Sequence, residues 1–225
     1  MIEITHLTYS HRGAATVSDM TFNVRNGHAC ALLSHNTATT ATVARLVAGC
    51  LSPSDGQVLI NGYDVHRQPK AAKKSLAYLP SPIPTPDDMT PYEYIALVAE
   101  LRGVGGDDLI RTVHDALIAT NLVGVQDRPI RTLSPIAVRR LGLSTTLPGD
   151  PDTVILDNPM AGLNVKERAA ISALIQKLCQ GKTLLVTGAP FPEIQALSDQ
   201  TVMMENGRCT EARTTAPQST EEENA

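Results

Sequence analysis

"ALLSHNTATTATVARLVAG", residues 31–49, decides how the rest of the chain is read. Its apolar entry, Ala31, Leu32 and Leu33, reads as a buried strand, and Val43, Leu46 and Val47 recur at helical spacing, which predicts a helix from about residue 40. A short polar loop joins the two. A strand, a loop and a helix in this order is a layout in which backbone N–H groups at the helix N-terminus hold an anion such as a nucleotide phosphate. Yet residues 34–42 contain neither glycine nor lysine.

Working outward, residues 2–9 and 17–25 alternate like strands, and a turn at Arg25–Gly27 feeds the central run "HACALL". Beyond the helix, "SPSDG", "QVLI" and "NGYD" read as turn, strand and turn, and the segment closes at "LAYLP". "PSPIPTP", Pro80 to Pro86, has four prolines in seven residues and predicts an extended, stiff connection, the best candidate for a hinge. "PYEYIALVAELRG" and "DLIRTVHDALIATNL" show apolar residues at helical spacing, so about 88–147 reads as a helical insertion. "TVILD", "KERAAISALIQKL", "TLLVT", a helix near 192–198 and "TVMME" then restore the α/β alternation. From Thr210 the chain is polar and ends acidic, and 210–225 is expected as a solvated, disordered tail.

Bulk properties narrow the partners. The chain has 225 residues, enough for one sizeable core, with 42% hydrophobic and 19% charged residues. A net charge of -4 supplies no global field for nucleic acid. No apolar run approaches the roughly 20 residues that span a bilayer, and "MIEITHLTYS" lacks the order of a secretion signal. The expected location is cytoplasmic, or peripheral on the inner face of the cell membrane through a partner. Cys30, Cys50, Cys179 and Cys209 have no CxxC spacing, so buried reduced thiols are expected rather than disulfides or a zinc site.

In their order, "ARLVAGCLSPSDGQVLINGYDV", "EYIALVAELRGV", "TLSPIAVRRLGLSTTL", "VILDNPMAGLN" and "MMENGR" resemble the nucleotide-binding subunit of ATP-binding cassette (ABC) transporters, particularly the export-type branch. The resemblance covers about residues 2–209. It implies a P-loop NTPase-like α/β fold, with a mixed central sheet, an N-terminal antiparallel β element and a helical subdomain inserted at about 88–147. It also implies Mg-ATP as ligand, a polytopic transmembrane subunit as partner, and a dimer with itself or with a related nucleotide-binding subunit.

The family's phosphate loop reads GxxGxGK followed by Ser or Thr. Here Ser34, His35, Asn36, Thr37, Ala38, Thr39, Thr40 and Ala41 stand in those places, with Thr42 one residue late as a spare hydroxyl. The glycines let backbone N–H groups converge on phosphate at positive φ, where a β-branched residue costs about 1–2 kcal/mol. Thr40 replaces the lysine and Ala41 the magnesium-binding hydroxyl. The first lysine in the chain is Lys70, so no small shift of alignment supplies one.

The remaining motif positions change in the same sense. Asp157 is retained after the Walker B strand, but the general-base slot holds Asn158, whose amide cannot take a proton. The Q-loop slot is Ser81 and the switch-histidine slot is Gly188. The signature LSGGQ reads Leu133, Ser134, Pro135, Ile136 and Ala137; Pro135 has no N–H and Ile136 adds bulk. Asn164 replaces the aspartate of "GLD", and the adenine-stacking aromatic maps to His11 or Tyr9.

The intact scaffold positions and altered chemical positions together suggest a catalytically inert homologue serving as an accessory, regulatory or structural subunit of a membrane ABC complex. A genuine ATPase with a non-standard site, using His11, the helix and Asp157, stays open, as does a nucleotide-independent soluble scaffold. In the family each ATP site joins one subunit's phosphate loop to the other's signature. Both half-sites are altered here, so neither self-pairing nor pairing with a competent relative would complete one. Asp157 is expected to accept hydrogen bonds from the loop at 37–42. No metal site is expected from His6, His11, His28 and His35. Arg139, Arg140 and "KAAKK" (Lys70 to Lys74) read as solvated faces.

Overall fold

The computed structural model describes residues 1–11 and 14–214. In chain order it contains β1 (Ile2–His11), β2 (Ala14–Val24), β3 (Ala29–Leu33), α1 (Thr37–Val47), β4 (Asp55–Ile60), β5 (Tyr63–Asp64), α2 (Pro69–Lys74) and β6 (Leu76–Leu79). Then follow α3 (Pro91–Leu101), α4 (Asp107–Ala119), α5 (Pro135–Ser144), β7 (Thr153–Asp157), α6 (Val165–Leu178), β8 (Thr183–Gly188), α7 (Pro192–Gln195), β9 (Gln200–Glu205) and β10 (Arg208–Thr214).

The strands form two sheets, one ordered β2-β1-β4-β5 and antiparallel, the other β10-β9-β3-β8-β7-β6. In the larger sheet β9, β3, β8, β7 and β6 run parallel and β10 returns antiparallel at the edge. Every residue of β7 and β8 is buried, as expected of parallel strands covered on both faces. One face packs with α1 and the small sheet, through Leu32, Val43, Leu46, Ile60 and Ile155. The other packs under α6, through Leu33, Leu156, Ile171 and Ile175. Helices α3 to α5 close around a separate core that includes Ile95, Val113, Leu117 and Leu141.

Local chemistry sets the helix starts. Pro91 occupies the first turn of α3, and Thr90 and Glu93 cap it reciprocally. Asn164 and Glu167 do the same for α6, so the residue replacing the aspartate of "GLD" retains an N-cap's work.

Two expectations change. Residues 210–214, expected to begin a solvated tail, pair with β9, because an edge strand needs ladder hydrogen bonds and tolerates polar residues; residues 215–225 lie outside the described residues. Only Cys30 and Cys179 are buried, whereas Cys50 and Cys209 are exposed; all four are free thiols.

Candidate functional site

The loop after β3 spans only residues 34–36, and α1 begins at Thr37 rather than near residue 40. Asn36 is the reason. It is the N-cap, and its side-chain oxygen accepts from the Ala38 N–H at 3.3 Å. Ser34 Oγ accepts from the Asn36 N–H at 3.1 Å, and the Thr39 N–H donates to the Asn36 carbonyl at 3.1 Å. The Ser34 N–H donates to the Gly188 carbonyl at 3.0 Å, tying the loop to the end of β8.

The positions matched to the family's second and third glycines and its lysine, Thr37, Thr39 and Thr40, therefore lie inside an ordinary helix. No residue from 34 to 41 has a positive φ. Thr40 is fully buried and its hydroxyl donates to the Thr37 carbonyl at 3.1 Å, while Thr42 donates to the Ala38 carbonyl at 2.9 Å. His35 and Ala38 are exposed, and neither carries a fixed charge.

Asp157 is fully buried at the end of β7. Its partner differs from the expected ones: the Thr187 hydroxyl on β8 donates to Oδ1 at 3.0 Å, instead of the loop at 37–42, and Oδ2 is buried with no hydrogen-bond partner among the described residues. Parallel pairing sets Asp157 beside Thr187 and fixes this choice. Burial pushes the Asp157 carboxyl above its usual range, against the downward pull of Thr187, Ser81 and Arg45.

That shift gives a stability prediction. A carboxyl whose pKa is higher in the folded than in the unfolded state makes the fold most stable in acid. Stability then falls as pH rises through the interval between the two values. Asp157→Asn is expected to raise Tm at pH 7 by about 2–4 °C, roughly 1 kcal/mol. The gain should vanish below the ordinary carboxylate range, as read by thermal melts across pH; a lower Tm at pH 7 would show instead that the fold uses the charge.

Asn158 sits at φ 47, a conformation asparagine tolerates better than most residues, and its N–H donates to the Thr187 carbonyl at 2.8 Å. Gly188 lies against it: a Cβ at 188 would stand 3.0 Å from Asn158 Oδ1. The general-base and switch-histidine slots thus fit each other as asparagine and glycine. Ser81 follows Pro80 in the proline-rich connection, and its backbone helps to hold the Asp157 pKa down against burial.

The signature segment is also a plain helix start. Ser134 caps α5 by accepting from the Ala137 N–H at 3.4 Å, Pro135 fills the first turn, and Ile136 packs on the core beneath α6. Leu133 packs on the helical core. His11 is exposed at the end of β1, and Tyr9 packs partly buried on the core. Arg139 is not solvated as expected: its Nη2 donates to the Ala161 carbonyl at 2.9 Å, tying α5 to the loop before α6, and burial lowers its pKa. His6 pairs with Asp19 at 2.7 Å and His28 with Asp199 at 3.3 Å, and among the described residues no cluster could hold a metal ion.

These residues do not fit Mg-ATP. The Asn36, Ala38 and Thr39 N–H groups have acceptors within the loop, no cation stands at Thr40, and Ala41 offers no metal ligand. Thr187, whose hydroxyl meets Asp157, escapes sequence reading because it lies in no motif carrying the resemblance, and Arg45, though inside one of those stretches, reads there only as part of a helix. Only the strand register brings Thr187 to Asp157.

A family model described as ABC transporter matches residues 17–161. The rat protein "ATP-binding cassette sub-family A member 7" is 30% identical over 211 residues, covering 92% of this chain and 10% of its own length. The Nod factor export ATP-binding protein I of Sinorhizobium fredii is 29% identical over 208 residues, covering 92% of this chain and 61% of its own length. The chain therefore spans only part of these relatives. Its fold is similar to the ATP-binding cassette MJ0796, solved as a post-hydrolysis dimer bound to ADP and Pi. There the TM-score is 0.85 at 14% identity, with 96% of this chain and 99% of that one covered. It is also similar to cbiO1 from Clostridium perfringens, part of the ABC transporter complex cbiONQ, with a TM-score of 0.82 at 21% identity, covering 95% and 88%.

Proposed function

The chain belongs to the ABC transporter family, and from that premise we propose that it is a non-hydrolysing member, an accessory or regulatory subunit held on a polytopic membrane subunit. One observation carries the reading. Three of the backbone donors that would meet phosphate, those of Asn36, Ala38 and Thr39, are bonded to Ser34 and Asn36, at the start of a helix that begins at Thr37. Asn158 in the base slot and Gly188 in the histidine slot support it, since a side-chain amide is not a base for water and glycine offers no side chain at all.

A partner supplies the membrane contact in this reading. No helix among the described residues is long and apolar enough to cross a bilayer. The cbiO1 neighbour is part of a transporter complex and the MJ0796 neighbour is dimeric, which supports docking and pairing for this chain as well. With both halves of the composite site altered, pairing would serve shape rather than turnover.

The test is purification from detergent-solubilised membranes followed by an ATPase assay. A polytopic membrane protein is expected to co-purify, and the chain alone should show no magnesium-dependent turnover above background. Turnover abolished by Asp157→Ala would overturn the inactive reading, and a wholly soluble, partnerless pool would overturn the docking reading.

A further inference from the structure

Helix α1 closes with "VAGC", residues 47–50. Gly49 takes φ 66 and its N–H donates to the Leu46 carbonyl at 3.0 Å, while the Cys50 N–H donates back to the Arg45 carbonyl at 2.8 Å. This pair of bonds is the Schellman closure of a helix, and it fixes where the Cys50 side chain leaves the backbone. The thiol lines a recess of about 630 Å³ between the end of α1, α2, β6 and the end of α3. Cys50 is exposed, and Sγ makes only a long contact, 4.0 Å, to the Ala48 carbonyl.

The recess is cationic. Lys70, Lys73, Lys74 and Arg102 line it, and no carboxylate does. The run that reads as a solvated face in sequence therefore forms one wall. Lys73 Nζ donates to the Gly49 carbonyl at 3.4 Å, which sets an ammonium beside the residue preceding Cys50, and Arg102 Nη2 donates to the Leu76 carbonyl at 3.1 Å. The ion pairs among the described residues leave all four cations out. The other three thiols stand in different surroundings. Burial pushes Cys30 up to about 12 and Cys179 up to about 11, and it raises Cys209 as well. Those three keep their protons near neutral pH, where only the thiolate attacks.

We infer that Cys50 is a redox modification site, at which the recess captures a small disulfide whose ends carry carboxylates and exchanges it onto the thiol. The carboxylates meet the lysines and Arg102, which draw in an anion and turn away a cationic disulfide. Cys50 Sγ, as thiolate, attacks one sulfur of the bound disulfide. The new Sγ–S bond forms as the old S–S bond breaks, and the other half leaves with the electron pair and takes up the proton that Cys50 gave away. Cys50 is oxidised and the departing half is reduced, so no further oxidant enters. An excess of small thiol reverses the step, and the adduct follows the thiol–disulfide ratio around the chain. The assignment goes beyond the reading of the chain as an inactive subunit and does not depend on it.

The full chain, fully reduced, is mixed either with glutathione disulfide, which is net anionic, or with cystamine, a disulfide ending in ammonium groups, and adducts are assigned by peptide mass spectrometry. Each rate is divided by that of the same disulfide with a small free thiol. Cys50 is expected to react at least about tenfold faster than Cys209 with glutathione disulfide, and to prefer it over cystamine by at least about tenfold. Raising NaCl from about 50 mM to about 500 mM should shrink that preference severalfold. Lys73→Gln/Lys74→Gln should shrink it likewise, and so should Lys70→Gln/Lys74→Gln, which keeps the Lys73 contact with Gly49; thermal melts show that each variant is folded. Dithiothreitol should remove the adduct.

Equal normalised rates for the two disulfides, modification of Cys209 as fast as Cys50, or a preference that survives in both lysine variants would overturn the inference. None of these readouts involves ATP or a membrane protein, so their failure leaves the docking reading standing, and the failure of docking leaves them unchanged.

Discussion

Mg-ATP titrated into the chain in a calorimeter is expected to give no binding tighter than about 1 mM, which corresponds to roughly 4 kcal/mol of binding free energy. Phosphate would have to displace Ser34 from the Asn36 N–H and Asn36 from the Ala38 N–H before those donors could turn outward. Each exchange gives up a bond already made, worth about 1 kcal/mol net, for one to the ligand. Neither a lysine at 40 nor a hydroxyl at 41 returns anything for it. The exposed N-terminus of α1 leaves only the weak attraction of a helix dipole, about 0.3–1 kcal/mol in water. Saturable heat at micromolar ligand, dependent on magnesium and lost in Asp157→Ala, would show that the loop opens and would remove the basis of the inactive reading.

Restoring the family's lysine alone, Thr40→Lys, should unfold more than it repairs. Thr40 has no exposed surface, and its hydroxyl is held by the Thr37 carbonyl. A lysine would either bury an ammonium without a partner or push α1 off the sheet. A loss of about 3 kcal/mol or more is expected, corresponding to at least about 6–12 °C in Tm for a chain of this size. Thermal melts at pH 7 measure it directly, and a repeat titration should still find no Mg-ATP binding. An unchanged Tm together with micromolar affinity would mean that residues 34–40 readily unwind into a wrapping loop.

The elements easiest to read were those whose burial leaves a mark on composition. "TVILD" and "TLLVT" are continuous apolar runs because β7 and β8 are covered on both faces. α3 declares itself through apolar residues at helical spacing after Pro91, whereas the reciprocal cap of Thr90 and Glu93 emerges from the structure. The start of α1 was harder. Asn36 is a good cap, but reading residues 34–41 as a stretched phosphate loop moves the expected helix start past it. Position 157 shows another limit, since its hydroxyl partner comes from a strand thirty residues on and only sheet register brings the two together. β10 is obscured by its own polarity, because its pairing runs through backbone groups common to all residues. The lysines of α2 were visible as charge, whereas the recess they line depends on how α2 meets α3, β6 and the end of α1.

The reciprocal cap of Asn164 and Glu167 on α6 has a bearing on how such a chain could change over time. Asparagine and aspartate serve almost equally well as helix caps. Exchanging one for the other at 164 would leave heat resistance untouched, and any selection acting through folding would be blind to the swap. A surveillance system that removes misfolded proteins would then let a working carboxylate disappear there unnoticed.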